Sequence, residues 1–137
     1  MVTESLAPAK FLACICHVLM VISVFWTYKQ NLKTGLPEGY SSDDELLARV
    51  SVYFCLIISL AMQIFEILLL FLGYSLFFDA GNLVQVIFHV LGSVITSWFI
   101  LEDWEYKGIW GIWFFTVLIP FFIDLAMLVK AKNFYQT

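Results

Sequence analysis

Four long apolar stretches separated by short polar segments run through the 137 residues of this chain. Each stretch has close to the ~20 residues that an α-helix needs to cross a hydrocarbon core about 30 Å thick. The predicted spans cover about residues 10–28, 48–72, 81–101 and 109–130. This pattern predicts an all-α membrane protein whose helices cross the bilayer four times.

The polar segments between the spans predict how the helices are arranged. The connections at residues 73–80 and 102–108 are short, and short links make consecutive helices antiparallel. The longest connection, residues 29–47, ends in Ser-Ser-Asp-Asp-Glu at 41–45, which favours a helix N-terminus through its hydroxyls and carboxylates. We therefore expect residues 1–137 to form a single membrane domain, an antiparallel up-down four-helix bundle.

Composition excludes several other classes of protein. Hydrophobic residues make up 62% of the chain and its mean hydropathy is +0.91, whereas soluble domains are about 45–50% apolar. The excess apolar surface has to face lipid, so the lipid bilayer is an expected partner. A net charge of −4 without a basic patch excludes nucleic acid. We expect Cys14 and Cys16 to be small buried residues of the first span, with acylation as the alternative.

All five tryptophans belong to the end of the bundle away from the two termini. They are Trp26, Trp98, Trp104, Trp110 and Trp113. Tryptophan prefers the headgroup level, where its ring is apolar and its N–H meets water. These positions predict an interfacial aromatic belt on that side. Lysine and arginine occur at both ends of the bundle, so the positive-inside rule selects neither orientation.

Each predicted span contains one clear ionisable residue, which is costly in hydrocarbon and requires a partner. These residues are His17, Glu66, His89 and Asp124. Counted at ~1.5 Å per residue, all four lie roughly 9–13 Å below the membrane face that holds the termini. We therefore expect one intramembrane polar layer inside the bundle.

Helical spacing extends this layer along the second and third spans. Small and polar residues recur there at intervals of three and four, as helix–helix contacts in lipid require. The stripes consist of Ser59, Gln63 and Glu66, and of Asn82, Gln85, His89, Gly92 and Thr96. In the fourth span Pro120 lacks a backbone N–H and clashes with the carbonyl of Thr116, which predicts a kink.

Three functions are compatible with the polar layer. We favour a structural one, in which two His–carboxylate pairs hold the helix register and each contributes ~0.6–2 kcal/mol. The second is a proton or solute pathway, because intramembrane histidines and carboxylates build proton relays. The third is a metal site of two imidazoles and two carboxylates, although the Glu-x-x-His spacing of di-iron bundles is missing, since Leu69 follows Glu66. We expect no metal, no cofactor and no catalytic residue, because no nucleophile–base pair, glycine-rich phosphate loop or zinc-protease helix occurs.

A set of residues spread along the chain matches the pattern of a known family in order and spacing. The most distinctive stretch is Phe-Ile-Leu-Glu-Asp-Trp-Glu at 99–105. The other matching positions are Pro8, Phe11, Leu12, His17, Phe25, Trp26, Leu36, Pro37, Glu66, Gly73, Phe77, His89, Ser93, Ser97, Trp110 and Pro120. Over about residues 8–130 the sequence resembles the transmembrane protein 107 family. It departs from that family in the acidic loop 39–45 and at Asp124, where a glutamate is expected.

The resemblance implies a non-enzymatic role at the base of the cilium. The family is part of the Meckel-syndrome module of the ciliary transition zone, where it helps to place other membrane proteins. Such a scaffold controls which proteins and lipids enter the ciliary membrane, and so contributes to cilium assembly. Both termini would face the cytoplasm, the partners would be other transition-zone membrane proteins, and no small-molecule substrate is expected. The alternative is a small transporter or channel subunit that uses His17, Glu66, His89 and Asp124 as a proton or cation path.

Overall fold

The structure, a computed structural model, describes the backbone of residues 2–136 and the side chains of residues 6–134. Its helices are α1 (Val2–Gly35), α2 (Ser42–Phe71), α3 (Asp79–Leu101), α4 (Gly108–Trp113) and α5 (Ile119–Gln136). A π-helical turn, Phe114–Leu118, joins α4 to α5, so these segments form one continuous rod, called α4–α5 below. The first and last residues of the predicted domain 1–137 lie outside the described residues.

Four helical rods in the described part of the chain are long and apolar enough to cross a membrane: α1, α2, α3 and α4–α5. This confirms the predicted all-α, four-helix membrane fold. The helices extend beyond the apolar runs, because α1 continues to Gly35 and α2 begins at Ser42 rather than at residue 48. Hydropathy marks only the part of a helix that lies in hydrocarbon, whereas the hydrogen-bonded helix continues into the headgroup layer. That the chain forms a single domain stays a prediction.

The N-terminus of α2 is closed by the acidic segment that precedes it. The Ser41 hydroxyl accepts a hydrogen bond from the backbone N–H of Asp44 at 3.2 Å, and the Ser41 N–H donates to the Asp44 carboxylate at 3.1 Å. This reciprocal capping box satisfies two backbone donors at the start of the helix. The helix start predicted from residues 41–45 is therefore confirmed.

The four rods pack as a square when viewed along the bundle axis. Helix α1 packs against α2 and α3, and the rod α4–α5 packs against the same two helices. Among the described residues, α1 makes no close backbone contact with α4–α5, and α2 makes none with α3. These two pairs are therefore diagonal, and only long side chains that reach the bundle axis can join them.

The apolar core occupies the half of the bundle away from the termini. Its side chains come from all four rods and include Val24, Cys55 and Phe99, which have no exposed surface. Asn31 closes this end, because its side-chain amide donates to the carbonyls of Phe99 and Trp104 at 2.9 and 2.8 Å. Polar side chains are concentrated in the other half, so the two ends of the interior differ in chemistry.

The fourth rod leaves α-helical geometry just before Pro120, in the π-helical turn Phe114–Leu118. Proline has no N–H with which to continue the helical hydrogen-bond ladder, and prolines and π turns are common sites of helix distortion. The structure has a π turn at this place, and the kink predicted from Pro120 stays a prediction. The Pro120 carbonyl accepts a hydrogen bond from Gln85 Nε2 at 3.0 Å, which joins α5 to α3.

Candidate functional site

The four residues of the predicted polar layer all lie inside the bundle. They project from α1, α2, α3 and α5, and each is at most 1% exposed. The polar and small residues predicted to share their faces are buried as well: Ser59, Gln63, Asn82, Gln85, Gly92 and Thr96. We call this set of buried residues the polar cluster. The structure shows that these residues are buried in the bundle interior, whereas their structural role stays a prediction.

His17, His89 and Glu66 form a hydrogen-bonded chain across three helices. The Nδ1 atoms of His17 and His89 lie 3.1 Å apart, and His89 Nε2 lies 2.7 Å from Glu66 Oε2. A contact between two ring nitrogens needs one hydrogen, so one ring donates and the other accepts. With Glu66 ionised and both rings neutral, His89 donates to Glu66 through Nε2 and accepts from His17 at Nδ1. The chain thus joins the diagonal helices α2 and α3 and connects both to α1.

Asp124 pairs with a residue that the sequence analysis placed at the edge of the first span. Lys10 Nζ lies 3.0 Å from Asp124 Oδ1 and 3.4 Å from Asn82 Oδ1, and Lys10 has no exposed surface. This ion pair joins α1 to α5 across the second diagonal of the square. The prediction of two His–carboxylate pairs is therefore wrong: Glu66 pairs with a histidine, but the partner of Asp124 is a lysine.

The inner face of α1 carried a signal that could have identified Lys10. Buried residues on this helix recur at intervals of three and four, at positions 10, 14, 17, 21, 24, 28 and 31. Lys10 belongs to that stripe, whose spacing is helical throughout. A lysine at the edge of an apolar run is commonly assigned to the headgroup layer, where its ammonium snorkels to water. Here α1 continues toward the N-terminus beyond Lys10, and Lys10 has no exposed surface, so its side chain lies within the bundle.

Several buried polar atoms of the cluster have no hydrogen-bond partner among the described residues. They are His17 Nε2, Glu66 Oε1, Asp124 Oδ2, Gln85 Oε1, Thr96 Oγ1 and both side-chain amide atoms of Gln63. A buried polar group that nothing satisfies costs ~1–3 kcal/mol. The polar cluster therefore contains buried donor and acceptor atoms that form no hydrogen bond with the described residues.

Cys14, together with two residues of the polar cluster, Glu66 and His89, has the composition of a metal site. The Cys14 sulfur, a Glu66 carboxylate oxygen and a His89 ring nitrogen lie within 4.8 Å of one another, and all three residues are buried. The ligand set considered from the sequence, two histidines and two carboxylates, is not assembled, because Lys10 engages Asp124. Cys14 is buried as expected, whereas the expectation that Cys16 is buried is wrong, because this residue is exposed.

Gly92 makes room for the His17 ring. A Cβ atom on Gly92 would lie 2.6 Å from His17 Nε2, well inside van der Waals contact. We expect Gly92→Ala to displace the ring, break its contact with His89 and lower the free energy of unfolding by ~1–3 kcal/mol. Thermal unfolding of the purified protein in lipid nanodiscs, followed by loss of helical circular dichroism, measures the change.

Gly111→Ala is the matched control for this substitution. Gly111 is also helical, but a Cβ atom there meets nothing within 4 Å. Alanine is favoured over glycine inside a helix by ~0.5–1 kcal/mol, so Gly111→Ala should leave stability unchanged or raise it. Equal destabilisation by the two substitutions would contradict the role assigned to Gly92.

The tryptophans differ in their surroundings. Trp26 and Trp98 are 76% and 57% exposed, on α1 and α3, as residues at a lipid boundary can be. Trp110 is tied to α2, because its indole N–H donates to the Ser51 hydroxyl at 2.9 Å. The indole nitrogen of Trp113 is buried without a partner among the described residues. Trp104 lies in the loop after α3. The predicted aromatic belt therefore includes two indoles that pack within the protein, those of Trp110 and Trp113. That the belt lies at the membrane interface stays a prediction.

Comparison with known proteins finds relatives named transmembrane protein 107. The family model TMEM107, described as a transmembrane protein, matches residues 6–128. Transmembrane protein 107 of Homo sapiens is 27% identical over 126 residues, covering 92% of this chain and 90% of the relative. Transmembrane protein 107 of Danio rerio is 26% identical over 129 residues, covering 94% and 96%. No solved structure gives a significant match.

Proposed function

The chain belongs to the transmembrane protein 107 family, and we propose that it is a non-enzymatic scaffold of the ciliary transition zone. In this role it helps to assemble the membrane barrier that controls ciliary membrane composition, and thereby supports cilium formation. Both of its termini face the cytoplasm. The observation that carries the proposal is the family match over nearly the whole chain, which includes all four rods and not one isolated motif.

Lateral contact through the membrane-spanning rods is the way in which such a protein would meet its partners. The connections between rods are short, so little of the chain projects into water. Large apolar side chains are exposed along α3 and include Leu83, Ile87, Val90 and Val94. In lipid these side chains can pack against helices of other transition-zone membrane proteins, because helix association there depends on close packing and hydrogen bonds.

The polar cluster would serve this scaffold by holding its own helices in register. The His17–His89–Glu66 chain and the Lys10–Asp124 pair together connect all four rods across both diagonals. Polar groups in lipid that satisfy one another fix the rotation of each helix, because any other rotation exposes them to hydrocarbon. A bundle held in this way presents constant outer faces to its partners.

The second candidate function is a proton path. It is favoured by one observation, the direct contact of three titratable groups from three helices. Against it, these groups are completely buried, and His17 Nε2 at the end of the chain has no partner among the described residues to which a proton could pass. We therefore prefer the structural role, and the Glu66 substitutions argued in the Discussion separate the two.

The proposed function is tested by placing a tagged full-length chain in ciliated cells that lack their own family member. A narrow band at the base of the cilium, together with restored exclusion of plasma-membrane proteins from the ciliary membrane, is the expected result. Tags at either end should be stained only after permeabilisation, because both termini are proposed to be cytoplasmic. Uniform plasma-membrane staining without rescue would refute the ciliary role.

A further inference from the structure

We propose that Cys14, Glu66 and His89 form a binding site for one divalent cation of the Zn²⁺ class. The inference rests on the geometry of these three residues and is independent of the ciliary role. Each ligand comes from a different helix: Cys14 from α1, Glu66 from α2 and His89 from α3. A cation bound there would tie the diagonal pair α2 and α3 to α1.

The distances fit a compact metal site. The three donor atoms lie within 4.8 Å of one another, and none of the three residues has any exposed surface. Bond lengths of ~2.0–2.3 Å place the ligand atoms of a tetrahedral zinc site ~3.3–3.8 Å apart. Small rotations of buried side chains therefore suffice to bring the donors onto one ion. Three protein ligands leave the fourth tetrahedral position for a water molecule or another small ligand.

The charges and donor types select the class of cation. A Cys14 thiolate and a Glu66 carboxylate carry two negative charges, which a divalent cation neutralises, and a neutral assembly is the least costly one to bury in a membrane. Sulfur and imidazole nitrogen exclude Mg²⁺ and Ca²⁺, which require oxygen ligands, whereas a mixed sulfur, nitrogen and oxygen set suits Zn²⁺. Binding releases the proton of the Cys14 thiol, because the thiolate is the form that ligates a metal.

The surroundings of the ligands support the same assignment. Glu66 Oε1 has no partner among the described residues, so one carboxylate oxygen is available to a cation. His89 can turn its Nε2 lone pair to the cation while its Nδ1–H donates to His17 Nδ1, which lies 3.1 Å away. Ligating histidines are commonly oriented by such a hydrogen bond through the second ring nitrogen. His17 is thus a positioning residue, and the cation would replace the direct contact between His89 and Glu66.

The test uses Co²⁺ as a spectroscopic probe for Zn²⁺. The full-length protein in nanodiscs is treated with a chelator, freed of it, and titrated with Co²⁺. One Co²⁺ per chain, an absorption band of thiolate-to-cobalt charge transfer and displacement by Zn²⁺ are expected. Cys14→Ser should lose the charge-transfer band and weaken binding about 10-fold or more, since even changes beside a metal ligand cost about 10–100-fold in affinity. Cys16→Ser and Cys55→Ser are the matched controls and should retain both, because neither cysteine belongs to this cluster.

Thermal unfolding supplies a second measurement on the same samples. Zn²⁺ should raise the unfolding midpoint of the unmodified protein and of Cys16→Ser, and should leave the midpoint of Cys14→Ser unchanged, because a cation that binds the native state stabilises it. Glu66→Gln, which keeps the side-chain shape, provides the same comparison should Cys14→Ser fail to fold. The proposal is overturned if the unmodified protein shows no thiolate–cobalt band, or if Cys14→Ser binds Co²⁺ with the same band and affinity.

Discussion

Lys10→Ala is expected to destabilise the bundle more than substitution of any exposed lysine, by ~3–5 kcal/mol. The substitution leaves the Asp124 carboxylate buried without the ammonium that lies 3.0 Å from it, and it also removes the contact of Lys10 with Asn82. A loss of this size is a large part of the ~5–15 kcal/mol by which domains are stable. We expect a greatly lowered unfolding midpoint in nanodiscs and a low steady-state level in cells.

A double substitution separates the ion pair from mere loss of side-chain volume. Replacing both partners, as in Lys10→Met with Asp124→Leu, removes the two charges together and fills similar space, and such exchanges are often neutral or stabilising. The double variant should therefore recover most of the stability that Lys10→Ala loses. Lys132→Ala is the control for lysine removal, since Lys132 is exposed at the end of α5. A double variant as unstable as Lys10→Ala would show that the unpaired Asp124 charge is not the cause of the lost stability.

The positions of the rods follow from hydropathy because every side chain of a span that faces lipid has to be compatible with hydrocarbon. Apolar runs such as 81–101 correspond closely to α3, Asp79–Leu101, since a charged side chain that faces lipid is costly whichever helix lies beside it. The cap of α2 was equally local, because Ser41 and Asp44 interact within one turn. Features that depend on a few neighbouring residues or on the solvent are therefore accessible from sequence.

The pairing of the buried charges was not accessible in this way. A short link makes consecutive helices antiparallel but does not decide whether they are adjacent or diagonal. The link at 72–78 can extend to ~23 Å, which exceeds the ~11–14 Å diagonal of a square of helices spaced ~8–10 Å apart. Counting depth along each span therefore identified His17, Glu66, His89 and Asp124, but it could not tell which side chains meet. Lys10 was missed because it stands at the edge of the first apolar run, and Cys14 because it was interpreted as a small buried residue.

Glu66→Ala is expected to lower the free energy of unfolding by ~1–3 kcal/mol, because it leaves the His89 Nε2–H buried without its acceptor. Glu66 Oε2 lies 2.7 Å from that nitrogen, and among the described residues this contact and the Lys10–Asp124 pair join diagonal helices across the bundle axis. Glu66→Gln should be milder, since the amide oxygen can still accept and a neutral hydrogen bond retains ~0.5–1.5 kcal/mol. Glu38→Ala, at an exposed position of the loop before α2, is the control and should have no effect.

The same pair of substitutions decides between the scaffold and the proton path. Glutamine cannot titrate, so a proton path would lose its flux in Glu66→Gln even though the fold is kept. A scaffold would keep its function in Glu66→Gln, and would lose it in Glu66→Ala because the bundle loosens. Proton flux in liposomes and placement at the cilium base are measured for both variants, with the liposomes kept in chelator so that metal binding does not enter the comparison. We expect no proton flux above that of empty liposomes from any variant, and normal placement of Glu66→Gln. Flux through the unmodified protein that disappears in a well-folded, correctly placed Glu66→Gln would instead establish the proton path.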